Sequence, residues 1–368
     1  MYIYRTMRAA IINSRQSKRP LGTDAWIKST LKAVECCADN GYDVVSSIGM
    51  NTYELLTYAI AKRGIPMILV IAGSAEPAED VFSIISNFNI DDAKAEFLFL
   101  DDVDKPQKSR LKMRDEIVVS MADVLIPVSI RPGGNLSKLI EKYQNDKITL
   151  NDFMVPYDES RGGYKEDYST QQLSKWTTGN NWNYLTHWTR TSNGKWHREK
   201  EALYYQAVIN SFDEYARSGK ATLRRIINEG RLIASNRHLH RNVEAVAFTG
   251  LSPAESVKLM KWRPRLVAMN FEPYGIAIDK QIARQLGIRK VLYGSPEMYN
   301  VLSNADRPFF HSLGEIGEWM PEQEFRHLGD FSFNEIPRDK LKIIVKTDAE
   351  VAEFERITSF EVLPLFEV

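Results

Sequence analysis

"LKMRDEIVVSMADVLIPVSIRPGG", from Leu111 to Gly134, decides the fold. A polar helical stretch around Arg114 to Met121 leads into the apolar run DVLIPVSI. That run ends in a turn carrying two adjacent glycines, Gly133 and Gly134, before a further helix. Helix, buried strand and glycine turn repeat in this way in parallel sheets, whose strands need helical crossovers. The same alternation extends upstream to residue 8. AAIINS reads as a strand, and Asp24 to Asn40 as a helix with Thr23 or Asp24 as its cap. DVVSSIG is a strand running into a turn, and TYELLTYAIAKRG is a helix closed by Gly64. PMILVIAG is nearly unbroken in apolar residues, as a strand is when both sheet faces are covered, and AEFLFLDD continues the series. The class is α/β, with the first domain over residues 1–156.

Residues 157–198 break the alternation. They are polar, aromatic and rich in Gly and Asn, with several Trp and Tyr that a disordered linker normally lacks. An ordered connector packed on one or both domains is expected. From residue 199 to 368 a second domain follows. EKEALYYQAVINSFDEYAR, ATLRRIINEG and AEVAEFERI read as helices. EAVAFTG, GIAID, RKVLYG and KLKIIVKT read as strands. The elements do not alternate strictly, so this half is α+β.

The chain of 368 residues is 43% hydrophobic and 26% charged with net charge zero, so nothing global advertises nucleic-acid or membrane binding. Its two cysteines, Cys36 and Cys37, are sequence neighbours within a helix. They fit core packing in a reducing cytoplasm and exclude a zinc site built on several Cys. No run is long and apolar enough to suggest a signal peptide or a membrane span. The six His form no HExxH or His/Cys ligand pattern, so no metal is expected.

In open parallel sheets, ligands bind beyond the carboxyl ends of the strands. Two strand exits here have the chemistry for an anion. In VVSSIGMNTYE, the hydroxyls of Ser46 and Ser47 and the permissive Gly49 precede a helix start. In VSIRPGGNLSK, Ser129, Arg131, Gly133 and Gly134 leave the last long strand; Arg131 can pair with a phosphate while glycine backbone approaches it. Each is also compatible with an ordinary structural turn.

The Leu111–Gly134 stretch resembles the nucleotide-binding core shared by the lonely-guy phosphoribohydrolases and the DNA-processing protein A family, the SLOG group. The resemblance covers roughly residues 8–145. It implies a Rossmann-like domain with Arg114 on the preceding helix and Gly133 and Gly134 at the ligand. The phosphoribohydrolase turn reads Pro-Gly-Gly-x-Gly-Thr-x-x-Glu. Here Leu136 stands at the second glycine element and Ile140 at the acidic position, with Glu141 one residue late. The hydrolase's catalytic carboxylate has no aligned counterpart.

Three clusters in the second domain are candidates for chemistry. IASNRHLH places Arg237 and His238 after a strand, MNFEPYGIAID offers Glu272 and Tyr274, and EWMPEQEFRHLGD offers Glu322, Glu324 and Arg326. In an extended segment Glu322, Glu324 and Arg326 line one side, and close carboxylates raise one pKa, an arrangement for general acid–base work. A solvated strand edge laced with salt bridges is the bland alternative. Residues 220–347 loosely resemble a divergent ADP-ribosyltransferase-like domain, which implies roles for Arg237 or His238, Tyr274 and Glu324, with NAD as the cofactor. Through THxTR, EPYGIAI, VLYG and WxxExEFR, the whole chain also resembles bacterial proteins of DNA-modification and phage-defence clusters. Such a setting implies DNA and other proteins of the system as partners, and conversion of a 7-cyano-7-deazaguanine base to its amide.

Three functions follow. The first is an enzyme acting on a purine-type nucleotide or modified base, with His187, Arg190, Glu272 and Glu324 as catalytic groups and Arg237, His238, Tyr274 and Glu322 holding substrate. The second is a nucleotide or DNA sensor whose first domain binds the signal and whose second responds. The third is a structural partner in a defence complex. The connector is expected to bring His187 or Arg190 to the cavity that holds Glu272 or Glu324.

Overall fold

The computed structural model describes residues 6–73, 76–100, 104–158, 166–178, 182–236, 243–264, 267–312 and 322–367. The chain divides into two compact units, and each is discontinuous in sequence: residues 1–163 with 194–216, and residues 164–193 with 217–368.

The first unit is built on a six-stranded parallel sheet. Its strands are β1 (Arg8–Asn13), β2 (Asp43–Ser47), β3 (Met67–Ala72), β4 (Ala95–Leu100), β5 (Val124–Ser129) and β6 (Ile148–Thr149). The helices are α1 (Ala25–Asp39), α2 (Asn51–Arg63), α3 (Pro77–Phe88), α4 (Gln107–Met121), α5 (Asn135–Tyr143) and α6 (Glu201–Ile209). The strand order is β4-β3-β2-β1-β5-β6, so the succession of strands across the sheet reverses between β1 and β5, which run parallel. Met67, Leu69 and Ile71 of β3 enter one apolar cluster, while Ile68 and Val70 enter another on the opposite face. Two covered faces explain the uninterrupted apolar runs of the central strands. This is the α/β, Rossmann-like architecture expected.

The second unit holds a seven-stranded sheet in the order Arg289–Lys290, Glu324–Leu328, Ala245–Thr249, Tyr184–Trp188, Gly275–Asp279, Leu341–Thr347, Glu361–Phe366. Neighbours are antiparallel except the last pair, which is parallel. One face packs on Leu223, Ile226 and Ile227 of the helix Gly219–Glu229 and on Phe354 of the helix Asp348–Glu355. The other packs under Tyr168, Met260, Met269 and Phe366. The α+β class is as expected.

Two expectations are corrected. The aromatic segment 157–198 is not one connector. Tyr184–Trp188 is the middle strand of the seven, and it pairs residue by residue with Gly275–Asp279. Leu185, Thr186 and Trp188 are all buried, so coverage on both faces removed the alternation that marks a strand. Upstream, the aromatics anchor the chain. Trp182 packs between Trp176 and Tyr184 at ring separations of 5.7 and 4.9 Å, and Trp176 Nε1 donates to Pro364 O at 2.6 Å. The boundary at 199 also moves. α6 belongs to the first unit, where Ala202, Tyr204, Tyr205 and Val208 join the core beside α2 and α3. A Cβ on Gly22 would meet Ile209 O at 2.2 Å, which shows how closely the end of α6 lies against the loop before α1. The helix is also shorter than the sequence suggests, ending at Ile209 rather than near Arg217.

Candidate active site

The second unit assembles a polar cluster at the start of the strand Glu324–Leu328. Arg326 is buried, and its Nε and NH2 donate to the two oxygens of Glu324 at 2.7 and 3.2 Å. Its NH1 donates to Pro308 O and Phe310 O, and NH2 also donates to His311 Nδ1 at 3.1 Å. All five guanidinium N–H groups therefore have acceptors. The i, i+2 spacing on a strand places Glu324 and Arg326 on one face, as expected.

Glu322 reaches the cluster differently. It precedes the strand, and Gln323 between the two glutamates adopts φ of +45°, a left-handed conformation uncommon for a non-glycine residue. The backbone turn, rather than strand periodicity, brings the two carboxyls into one electrostatic neighbourhood. Asn270 Nδ2 donates to Glu322 Oε1 at 3.2 Å, and Thr249 Oγ1 donates to Glu322 O at 2.5 Å. Burial pushes the Glu322 carboxyl above its usual range; the Asn270 hydrogen bond opposes this, and the charge of Glu324 adds to it. Arg263 and Arg190 act on the same carboxyl from nearby and favour its ionised form. Tyr293 completes the group. Its oxygen accepts from Glu324 N at 3.4 Å, and burial followed by the Glu324 charge pushes its phenol up to about 12.

Of the other expected catalytic residues, Arg190 acts on this cluster, while His187 and Glu272 bond to other partners. Thr186 pairs with Thr249 and Thr249 with Glu324, so these three share a sheet face. His187, next along the strand, points to the opposite face and packs edge-on against Phe248. Its Nδ1–H donates to Ala247 O at 2.8 Å. Burial lowers the imidazole pKa, the Ala247 bond opposes this, and the Arg190 charge lowers it further. Of the two connector residues, Arg190 therefore acts on Glu322, and His187 does not share the face of Glu324.

Glu272 is 2% exposed, and both its oxygens accept from Thr191: the backbone N–H at 2.8 Å and Oγ1 at 3.0 Å. It sits against the first turn of the helix Gly219–Glu229, where a Cβ on Gly219 would meet Glu272 Oε2 at 2.5 Å. A carboxylate at a helix N-terminus is favoured by the helix dipole. Its bonds hold the fold together rather than presenting an open carboxylate. Tyr274 is buried on the face of Ile276, with its hydroxyl donating to Glu350 at 3.0 Å. Arg237 and His238 lie outside the described residues.

In the first unit, the switch between β1 and β5 brings Asn13 opposite Ser129. Arg131 N–H donates to Ser14 Oγ at 2.9 Å, while its guanidinium is exposed and forms no ion pair among the described residues. Gly133 takes φ of +66°, which a side chain would strain, and the turn runs through Gly134 into α5. Asn13 is 3% exposed and its Oδ1 lacks a partner among the described residues. Ser46 and Ser47 are buried, with Ser47 Oγ donating to Val70 O at 2.7 Å. The Gly49 N–H is occupied by Glu54. Arg114, 3% exposed, pairs with Asp115 at 2.8 Å, donates to Ile48 O and lies 4.7 Å from the centre of the Tyr53 ring. Ser46, Ser47, Gly49 and Arg114 are thus tied into the loop architecture, whereas Ser129, Arg131, Gly133 and Gly134 stand at the switch point. Cys37 is buried, and burial pushes its thiol up to about 12, consistent with core packing.

Asn270, Tyr293, His311 and Arg263 were not singled out in the sequence. No spacing links them to Glu322; only the tertiary fold does. Among the described residues, no group of three or more His, Cys, Asp or Glu is placed to hold a metal ion. Among them, too, no helix is long and apolar enough to cross a membrane.

No protein-family model matches the chain, and no curated protein matches it. Solved structures similar over part of it include two DNA processing proteins. DNA processing protein A (DprA) from Streptococcus pneumoniae shares 15% identity over 42% of this chain and 52% of its own, with a TM-score of 0.30. DNA processing protein A from Helicobacter pylori, described for its single-stranded DNA binding mode, shares 18% identity over 40% of this chain and 66% of its own, with a TM-score of 0.28. The chain thus spans less than two thirds of either structure's length.

Proposed function

We propose that the second unit is an acid–base enzyme acting on a purine-type nucleotide or modified base, free or within DNA. Glu322 gives a proton, and Glu324, ion-paired with Arg326, accepts one. One observation carries this reading: two carboxyls lie in one cluster with opposite surroundings. Glu324 accepts two hydrogen bonds from a buried guanidinium, while Glu322 is shifted upward, first by burial and then also by Glu324. A raised carboxyl beside an ion-paired one divides acid and base roles. Arg190 and Arg263 add positive charge suited to a phosphate-bearing substrate.

Hydration of the nitrile of 7-cyano-7-deazaguanine suits such a pair. Water oxygen bonds the nitrile carbon, Glu322 gives its proton to the nitrile nitrogen, and Glu324 accepts a proton from the water. The imidic acid then tautomerises to the amide, and proton return from Glu324 to Glu322 through solvent restores both groups. The test is incubation of the protein with a DNA oligomer carrying this base and with the free base, read by mass spectrometry as gain of one water. Glu322→Gln should lower the rate about 10²- to 10⁴-fold. No product from either form, or equal rates in Glu322→Gln, rejects the reading.

A second reading, nucleotide or DNA binding by the first unit, is favoured by the exposed Arg131 at the strand switch, where Asn13 Oδ1 lacks a partner among the described residues. Under this reading, Arg131→Ala weakens nucleotide or single-stranded DNA binding in a filter assay; unchanged binding excludes it.

A further inference from the structure

Beside the carboxyl pair stands a phenol to which the acid–base reading gives no task. Tyr293 lies in the short strand Leu292–Gly294, which runs parallel to Phe310–Ser312 with Tyr293 opposite His311. The two rings lie 5.9 Å apart. This ribbon is fastened to the strand of Glu324 from several sides. Val291 N–H donates to Glu324 O at 2.9 Å, and Arg326 donates to both Phe310 O and His311 Nδ1. Glu324 N–H in turn donates to the Tyr293 oxygen at 3.4 Å. Both main-chain polar groups of Glu324 thus bind the segment that carries Tyr293.

The consequence concerns the phenolic proton. Tyr293 oxygen is an acceptor in its one hydrogen bond among the described residues, so that bond leaves its O–H free to donate. The side chain is half-buried, as are Glu322 and Glu324. A partly desolvated donor needs an acceptor when water is displaced. The phenol also keeps its proton across the neutral range, so the donor is constant.

We propose that the Tyr293 O–H donates to an acceptor atom of the bound base, such as a ring nitrogen, carbonyl oxygen or nitrile nitrogen, beside Glu322. This rests on the reading of the second unit as the site that takes the base. Tyr293 would then fix the base against the carboxyl pair, a contact separate from the proton transfer itself.

The test is calorimetric titration of the full chain with adenosine, guanosine, cytidine and thymidine 5′-monophosphates, in the wild type and in Tyr293→Phe. Both are studied in an Arg131→Ala background to remove the candidate site of the first unit. A nucleotide bound by the Tyr293 protein should bind Tyr293→Phe about tenfold more weakly, the factor of one ordinary hydrogen bond. A merely structural tyrosine would change the thermal midpoint and leave the affinity of the folded protein unaltered. Equal affinities, or no binding of any of the four, overturn the proposal. The readout is affinity, so a Tyr293-dependent affinity without turnover rejects the acid–base reading alone. Turnover that needs Glu322, with affinity indifferent to Tyr293, rejects the donor role alone.

Discussion

Glu272 illustrates how a buried carboxylate can be structural. Two hydrogen bonds from Thr191 meet its oxygens, and Thr191 Oγ1 also accepts from Gly219 N at 3.2 Å, closing a ring with the helix start. Hydrogen bonds to a charged group are worth roughly 1.5–3 kcal/mol each, so Glu272→Ala should lose about 3 kcal/mol in urea unfolding. Gly219→Ala should lose about 1–3 kcal/mol, since its methyl would press on the same carboxylate. A Glu272→Ala protein of wild-type stability would show that the ring contributes nothing. His187 gives a second test. Its folded pKa lies below the ordinary value of 6.5, so the unfolded chain binds more protons between the two values. The stability it allows is complete above 6.5 and falls as the pH drops through the lowered value. His187→Asn keeps a donor for Ala247 O but does not titrate. Thermal midpoints from about pH 8 to about pH 5 should therefore fall more steeply in wild type than in the variant. Glu322 has the opposite sign of slope. Its raised carboxyl binds more protons folded than unfolded, so stability declines as the pH climbs from its ordinary 4.5 through the raised value, and Glu322→Gln abolishes that decline.

At the scale of elements, Arg326 joins the strand Glu324–Leu328 to the segment 308–311 through a saturated guanidinium. Arg326→Met leaves the Glu324 carboxylate and two carbonyls without their donors, and breaking a buried ion pair from one side costs about 3–5 kcal/mol. Arg326→Lys, which keeps the charge but not the planar fork, should fall between the two in urea unfolding. Equal stability of all three proteins would remove Arg326 from the role of fastener. The Glu324–Arg326 contact was legible in the sequence, because strand periodicity alone sets it. The position of Glu322 was not, because it depends on the left-handed Gln323, which no sequence pattern marks. Tyr184–Trp188 was hidden for a different reason. A strand buried on both faces lacks alternation, and its polar members Thr186 and His187 disguise the apolar run. Its neighbour shows how tightly it fits: a Cβ on Gly275 would meet the Trp188 ring at 2.7 Å.

For the whole molecule, the parallel sheet of the first unit was legible from its recurring apolar runs and helices. The division of the chain was not, since the polypeptide leaves the first unit, contributes a central strand to the second, and returns. Helical periodicity marked α6 as a helix, but periodicity does not say which core receives it. Tyr205 is 1% exposed, stacks on Phe88 at 6.4 Å and donates to Glu54 at 2.6 Å. Truncating a buried aromatic costs about 3–5 kcal/mol, and a hydrogen bond to the carboxylate is lost as well. Tyr205→Ala should therefore weaken the first unit selectively. Hydrogen exchange, which reports opening region by region, should show faster exchange in β1, β2, β3 and β5, with Gly275–Asp279 and Leu341–Thr347 unchanged. A sequence-continuous second domain starting at residue 199 makes the reverse prediction. Loss of protection confined to the strands of the second unit would return α6 to that unit and overturn the discontinuous division.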